Sequence, residues 1–310
     1  MATTQTLAVL TPENKTFYDR SLLKRLLPNL LYVKYGQKRP LPKNEGDTIN
    51  FRRIGVLAVA TTPLTEGVTP GGNTLSIATV NATVQQYGDF LQLSDKVDML
   101  GIDPLLTETS DLLGEQAGKS IDTVARDIIV AGTTVQYANG RASRVTVAAG
   151  DNFNGTEIKK SVRTLRRNDA RPQEGQFYIG IIHPDTQYDL MADTMWQDVS
   201  KYNKAMQIFE GEIGTLYGVR FVVSSNAKKF TGAGAAGIDV YATMIIGSDA
   251  YGVVDVNGSA EKPEMIVKAH GSAGTSDPLN QIATAGWKAT FTTVRLNESA
   301  MVRVEHAATP

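Results

Sequence analysis

Residues 48–93 carry only four charged side chains in 46 positions, Arg52, Arg53, Glu66 and Asp89, in a chain that is 20% charged overall. Ile49 and Phe51 alternate with Asn50 and Arg52, and Val80, Ala82 and Val84 alternate with Asn81, Thr83 and Gln85. That period of two belongs to strands. Between the runs lies the turn-rich stretch PLTEGVTPGG at 63–72. The simplest expectation is one long hairpin, with strands of about 15 residues extending about 50 Å at roughly 3.3 Å per residue. Such an arm stands off its own body. Exposed strand edges normally carry charge to block unwanted pairing, so a hairpin this poor in charge implies that something else covers it.

The next segment changes period. Asp103-Pro104 opens a helix over 103–132, on the order of 40 Å long. On a helical wheel Leu106, Leu113, Ala117, Ile121, Val124 and Ile128 form one stripe, with Glu108, Asp111, Glu115 and Asp122 on the opposite face. Six acids against two bases make the segment acidic, either a solvated face or a rail for a basic partner. A basic segment precedes it: residues 1–43 hold eight basic side chains against two acidic ones, on an arm with an expected helix from Thr11-Pro12 to Leu27. A second amphipathic helix is expected over 156–168, with Ile158, Val162 and Leu165 inward and Lys159, Lys160, Arg163, Arg166 and Arg167 outward. Strands follow at 177–182, 219–223, 241–246, 252–256, 265–269, 287–294 and 301–304, and a helix at His183-Pro184-Asp185.

Composition narrows the chemistry. With no cysteine there is no disulfide framework, zinc ribbon or thiol nucleophile. A net charge of −1 argues against a free-standing nucleic-acid binder, and no run approaches the 18 apolar residues of a membrane span, so a soluble chain is expected. The first six residues lack the basic and apolar regions of a secretory signal. His183, His270 and His306 stand apart without partners at ligand spacing. Gly232, Gly234 and Gly237 spell GxGxxG, but a strand rather than a helix follows, so a surface loop is expected. No catalytic, cofactor or metal site is assigned.

The order of these parts resembles the major capsid proteins of tailed bacteriophages, a coat fold shared with encapsulins. The runs GQKRPLPK at 36–43, ATTPLTEGVTP at 60–70, LGEQAG at 113–118, IHPDT at 182–186, IFEGEIG at 208–214, DAYG at 249–252 and GSAGTSDPLNQ at 271–281 are similar to the podophage-type family that includes the coat protein of the phage named N-four. The resemblance implies an α+β fold divided into an N-terminal arm (1–45), an extended hairpin loop (46–95), a peripheral domain with a long spine helix (96–154), an axial domain with a central sheet (155–262) and return strands (263–310). It implies self-assembly, as hexamers and pentamers, into an icosahedral shell around double-stranded DNA, formed in the host cytoplasm and ending as the virion capsid. Portal, a separate scaffold and a decoration protein are the further partners it implies, with no membrane. Intersubunit contacts are expected from Arg20, Lys24, Arg25, Arg52, Arg53, Leu64, Glu66, Glu108, Asp111, Glu115 and Asp122, and DNA-facing or intersubunit contacts from Lys159, Lys160, Arg163, Arg166 and Arg167. The alternatives are an encapsulin-like compartment and, from another class, an α/β enzyme whose carboxylates meet only in space.

Overall fold

The computed structural model describes residues 30–42, 44, 46–55, 57–69, 71–96, 105–196, 212–256, 260–272 and 277–309. In chain order these form α1 (Leu31–Lys34), β1 (Gln37–Leu41), β2 (Thr48–Ile54), β3 (Ile77–Thr83), β4 (Gln85–Ser94), α2 (Leu105–Val130), β5 (Val135–Tyr137), α3 (Gly155–Arg167), β6 (Tyr178–Ile182), α4 (Pro184–Ala192), β7 (Glu212–Leu216), β8 (Val219–Val223), β9 (Lys229–Phe230), β10 (Val240–Ile246), β11 (Tyr251–Val256), β12 (Glu264–Lys268), β13 (Ile282–Arg295) and β14 (Met301–His306). The expected helix over 11–27 lies outside the described residues.

Two mixed sheets organise the chain. In the first, β13 pairs antiparallel with β4, β11 and β12, and β1 adds parallel to β11. In the second the order is β5-β14-β10-β6-β8-β7, with β9 on β10. Ala283, Ala285, Trp287, Ala289 and Phe291 are buried on one face of β13, following the strand period of two. Ala285, Trp287, Ala289 and Phe291 share a core with Leu113, Ala117, Ile121, Ala125 and Ile129 of α2, the i, i+4 stripe of an amphipathic helix. The small alanines of β13 let the helix lie close to the sheet.

The second core packs Ile158, Val162 and Leu165 of α3 against Tyr178, Ile182, Phe221, Ile245 and Val302 of the β10 sheet. Local signals fix α3. The Asn154 side chain accepts hydrogen bonds from the Thr156 and Glu157 N–H groups at 3.0 and 3.2 Å, and Arg166 and Arg167 in the last turn complement the helix dipole. In α4, Pro184 stands at the first turn and His183 Nδ1 accepts from the Asp185 N–H at 3.2 Å. Gly180 in the all-buried β6 is required by packing, because a Cβ there would meet the Phe221 ring at 2.7 Å.

The hairpin departs from expectation. Only Thr48–Ile54 and Ile77–Thr83 pair, in register from Thr48↔Thr83 to Ile54↔Ile77. Between them the described residues are irregular, held by bonds such as Gly55 N–H to Ser76 O at 2.8 Å and Val68 N–H to Thr65 O at 3.2 Å. β4 leaves β2 altogether and runs along β13 from Gln85↔Phe291 to Ser94↔Ile282. The strand expected up to residue 93 is present, but its partner is about 200 residues away, and periodicity carries no information about partners.

Strands from separate stretches of the chain share sheets. β1 of the arm, β4 of the loop and β11 of the axial segment all join the β13 sheet, whereas β5 joins the β10 sheet through β14. The return strands divide, β12 and β13 to one sheet and β14 to the other. Arg303 of β14 ties the two regions together by donating to the carbonyls of Val130 and Gly132 at the C-terminal end of α2.

Candidate intersubunit surface

At its base the hairpin has an inner face. Ile49, Phe51, Ala82 and Val84 pack with Leu41 of β1 and Val254 of β11, so the alternation seen in sequence is that of a half-buried ribbon. Beyond the base the described residues show none. Ile54, Leu57, Val59, Leu64, Val68, Leu75 and Ile77 are all exposed, Val59 at 84% and Leu64 at 78%. Arg52, Arg53 and Glu66 are exposed beside them. Apolar side chains concentrated in this way on one surface segment mark an interaction site.

The acidic back of α2 is weaker than its sequence suggests. Asp122 is a correction: expected on the solvent face, it is fully buried and accepts from the Tyr32 N–H at 2.8 Å and from Asn226 Nδ2 at 3.0 Å. The wheel failed because the groups that cover it come from α1 and from the segment after β8. Burial pushes the Asp122 carboxyl up to about 6, opposed by the bonds from Asn226 and Tyr32 and by the charge of Arg126. Glu115 is half-exposed and bound to Lys119 at 2.7 Å, Asp111 is half-buried, and Asp127 lies within 3.0 Å of both Arg126 and Lys228. Exposed pairs of this kind contribute roughly 0–1 kcal/mol each, so the described side chains of α2 form no strong acidic rail. Arg20, Lys24, Arg25 and the Glu108 side chain lie outside the described residues.

On α3, Lys159, Arg163, Arg166 and Arg167 are exposed as expected. Lys160 is instead half-buried and bound to Glu157 at 2.7 Å. The sequence missed Tyr217, which the β7–β8 turn swings onto this face with its ring centroid 4.4 Å from Lys159 Nζ.

The buried polar groups build structure. Glu305 is sealed between Arg144, which donates to both its oxygens at 2.8 and 2.7 Å, and Arg303 at 2.8 Å. His306 is fully buried, 2.9 Å from Thr243 Oγ1 and stacked on Tyr241, and burial lowers it to about 4. His183 stands on the other side of Tyr241, 5.1 Å between ring centroids, and 3.2 Å from Asp185. Burial lowers His183 against the pull of Asp185. Among the described residues no three His, Asp or Glu side chains gather to hold a metal. The GxGxxG glycines lie in the loop between β9 and β10, ending in a 3-10 turn at Ala235–Gly237 with no helix to present N–H groups to a phosphate.

Comparison with known proteins matches this architecture to shells. A family model described as phage capsid protein covers residues 77–304. The capsid of Ralstonia phage GP4 superposes with a TM-score of 0.72 at 12% identity, covering 89% of this chain and 88% of that one. The capsid of cyanophage P-SCSP1u gives 0.66 at 16% identity, covering 89% and 87%. A virus-like particle from Pyrococcus furiosus gives 0.53 at 12% identity, covering 93% and 98%. No curated sequence matches the chain. The two-sheet body, the long α2 across β13 and the projecting hairpin are the fold of tailed-phage capsids, and the chain belongs to the phage capsid protein family.

Proposed function

We propose that this chain is the major coat subunit of a tailed phage, and that copies assemble as hexamers and pentamers into an icosahedral shell enclosing double-stranded DNA. The observation that carries the reading is the loop of residues 54–77, in which the subunit leaves seven described large apolar side chains uncovered. Burying a Leu, Ile or Val side chain contributes roughly 1.5–3 kcal/mol. Seven of them contribute roughly 10–20 kcal/mol gross, enough to offset an association cost of about 4–15 kcal/mol. A neighbouring copy is the occupant that suits repetition: each subunit gives one loop and receives one, a heterologous contact that propagates until the shell closes. Arg52, Arg53, Leu64 and Glu66 go to the neighbour with the loop, Asp111 and Glu115 add minor electrostatic contacts, and Asp122 is withdrawn from that set by its burial.

Electron microscopy of particles from recombinant full-length protein tests the proposal. The expected result is closed shells from the parent chain and none from a Val59→Glu, Leu64→Glu double variant whose unassembled subunit keeps its fold. Shells from the variant would contradict the reading. Small shells that carry a partner protein in place of DNA, recovered from infected or expressing cells, would favour the compartment alternative.

A further inference from the structure

The outer face of α3 concentrates cations that have no counter-charge among the described residues. Lys159, Arg163, Arg166 and Arg167 fall at i, i+4, i+7 and i+8, which places them on one side of the helix in a stripe about 12 Å long. With Val162 and Tyr217 they line an open groove of about 780 Å³. Several other cations are matched, Arg141 with Asp151, Arg144 with Glu305, Lys228 with Asp127, Lys229 with Asp239 and Lys288 with Glu264, and those without a carboxylate among the described residues, such as Arg52 and Arg53, do not gather four to one helix face. Among the described residues the three arginines of the stripe have no carboxylate within ion-pair distance, and the Lys159 ammonium rests against the Tyr217 ring. The helix dipole accounts for Arg166 and Arg167 in the last turn. It does not account for Lys159 and Arg163, which lie one to two turns upstream.

We propose that this groove binds the phosphate backbone of double-stranded DNA independently of sequence. Charge complementarity favours a polyanion over an acidic face of a second copy. The exposed carboxylates described on the chain are single or already paired, as in Glu115 with Lys119, Glu261 with Lys38 and Glu264 with Lys288, and no acidic stripe of matching length faces outward among them. A duplex offers one charge per roughly 1.7 Å of axis, so four cations over about 12 Å find phosphates in any register. The polar lining is almost wholly cationic and lies in an open groove on one helix face, an arrangement that meets phosphates rather than a mixed donor and acceptor set that reads base edges. Its single aromatic ring is engaged by Lys159, unlike the free rings on which single strands stack. The chain's net charge of −1 hides this site because it averages separated patches.

The proposal deepens the shell reading by giving the enclosed DNA a contact, but its test needs no shell. Fluorescence anisotropy of the unassembled full-length subunit with a random-sequence duplex of about 30 base pairs, between ~50 and ~200 mM salt, is expected to show affinity falling roughly 10²-fold for three to four neutralised phosphates. The triple variant Arg163→Gln, Arg166→Gln, Arg167→Gln is expected to bind at least about tenfold more weakly, with the salt slope reduced by nearly three. The matching triple Arg→Lys variant keeps the point charges and should retain the slope. Arg52→Gln with Arg53→Gln, on the hairpin, should also leave it unchanged. Parent-like duplex binding by the triple Gln variant, or no duplex binding by the parent, overturns the proposal. So does a triple Gln variant that fails to form shells yet binds duplex as the parent does, since the face would then lie between copies. Duplex binding by a chain that never assembles would support the groove while overturning the shell reading.

Discussion

The loop of residues 54–77 and the β10 sheet use the same kinds of side chain to opposite ends. In the sheet, β6 and β10 are buried at every position, and the buried charge of Glu305 is met by two arginines. In the loop the Leu, Val and Ile side chains face solvent and the described backbone makes few internal hydrogen bonds. A monomer gains nothing from seven exposed apolar residues, whereas a subunit that meets copies of itself gains an interface. The difference separates residues that fold the chain from residues that, on the proposed function, assemble it.

Substitution should expose that division most strongly at the extremes. Phe221→Ala, which removes a fully buried ring, is expected to destabilise the unassembled subunit by about 3–5 kcal/mol in urea unfolding. Leu64→Ala in the loop is expected to stay within about 0.5 kcal/mol of the parent. Comparable losses at both positions would mean that the loop has a partner within its own subunit, and the comparison would collapse.

A smaller effect sharpens the comparison at the junction of α1, α2 and the segment after β8. The Asp122 carboxyl lies at about 6 when folded, above its ordinary value of 3.8. A group raised in this way favours the folded state fully below its unfolded value, and that contribution is lost as pH rises through 6, up to about 3 kcal/mol. His306, lowered to about 4, acts in the opposite direction: its contribution is present above its ordinary value of 6.5 and is lost as pH falls toward 4. The pH profile of the parent therefore mixes the two, and the difference between parent and Asp122→Asn isolates one. Melting curves should show the variant gaining on the parent between pH 4 and pH 7.5. A gap that does not change with pH would remove Asp122 as a buried titrating group.

What was legible in the sequence follows the range of the forces involved. α3 and the start of α4 could be read directly, because the spacing of Ile158, Val162 and Leu165 and the Pro184 start signal act within a few residues. The inner stripe of α2 was read in part: Leu113, Ala117 and Ile121 are buried, Val124 and Ile128 only partly, and Ala125 and Ile129 complete the face. β1 was hidden because QKRPL is basic and contains a proline, yet its parallel pairing with β11 needs only an edge. The burial of Asp122 and the placement of Tyr217 beside Lys159 depend on residues distant in sequence, which a helical wheel does not include. The charge-poor loop was conspicuous for the opposite reason: its missing charge is a local property that needs no partner to be seen.

Hydrogen exchange in residues 57–69 and 71–76, compared between the unassembled subunit and the closed shell, tests the central claim most directly. Few of these amides have a partner inside the subunit, so fast exchange is expected in the free chain, with protection of at least about tenfold once a neighbour covers the loop. Equal exchange in both states would contradict the claim that this loop is the surface that joins one copy to the next.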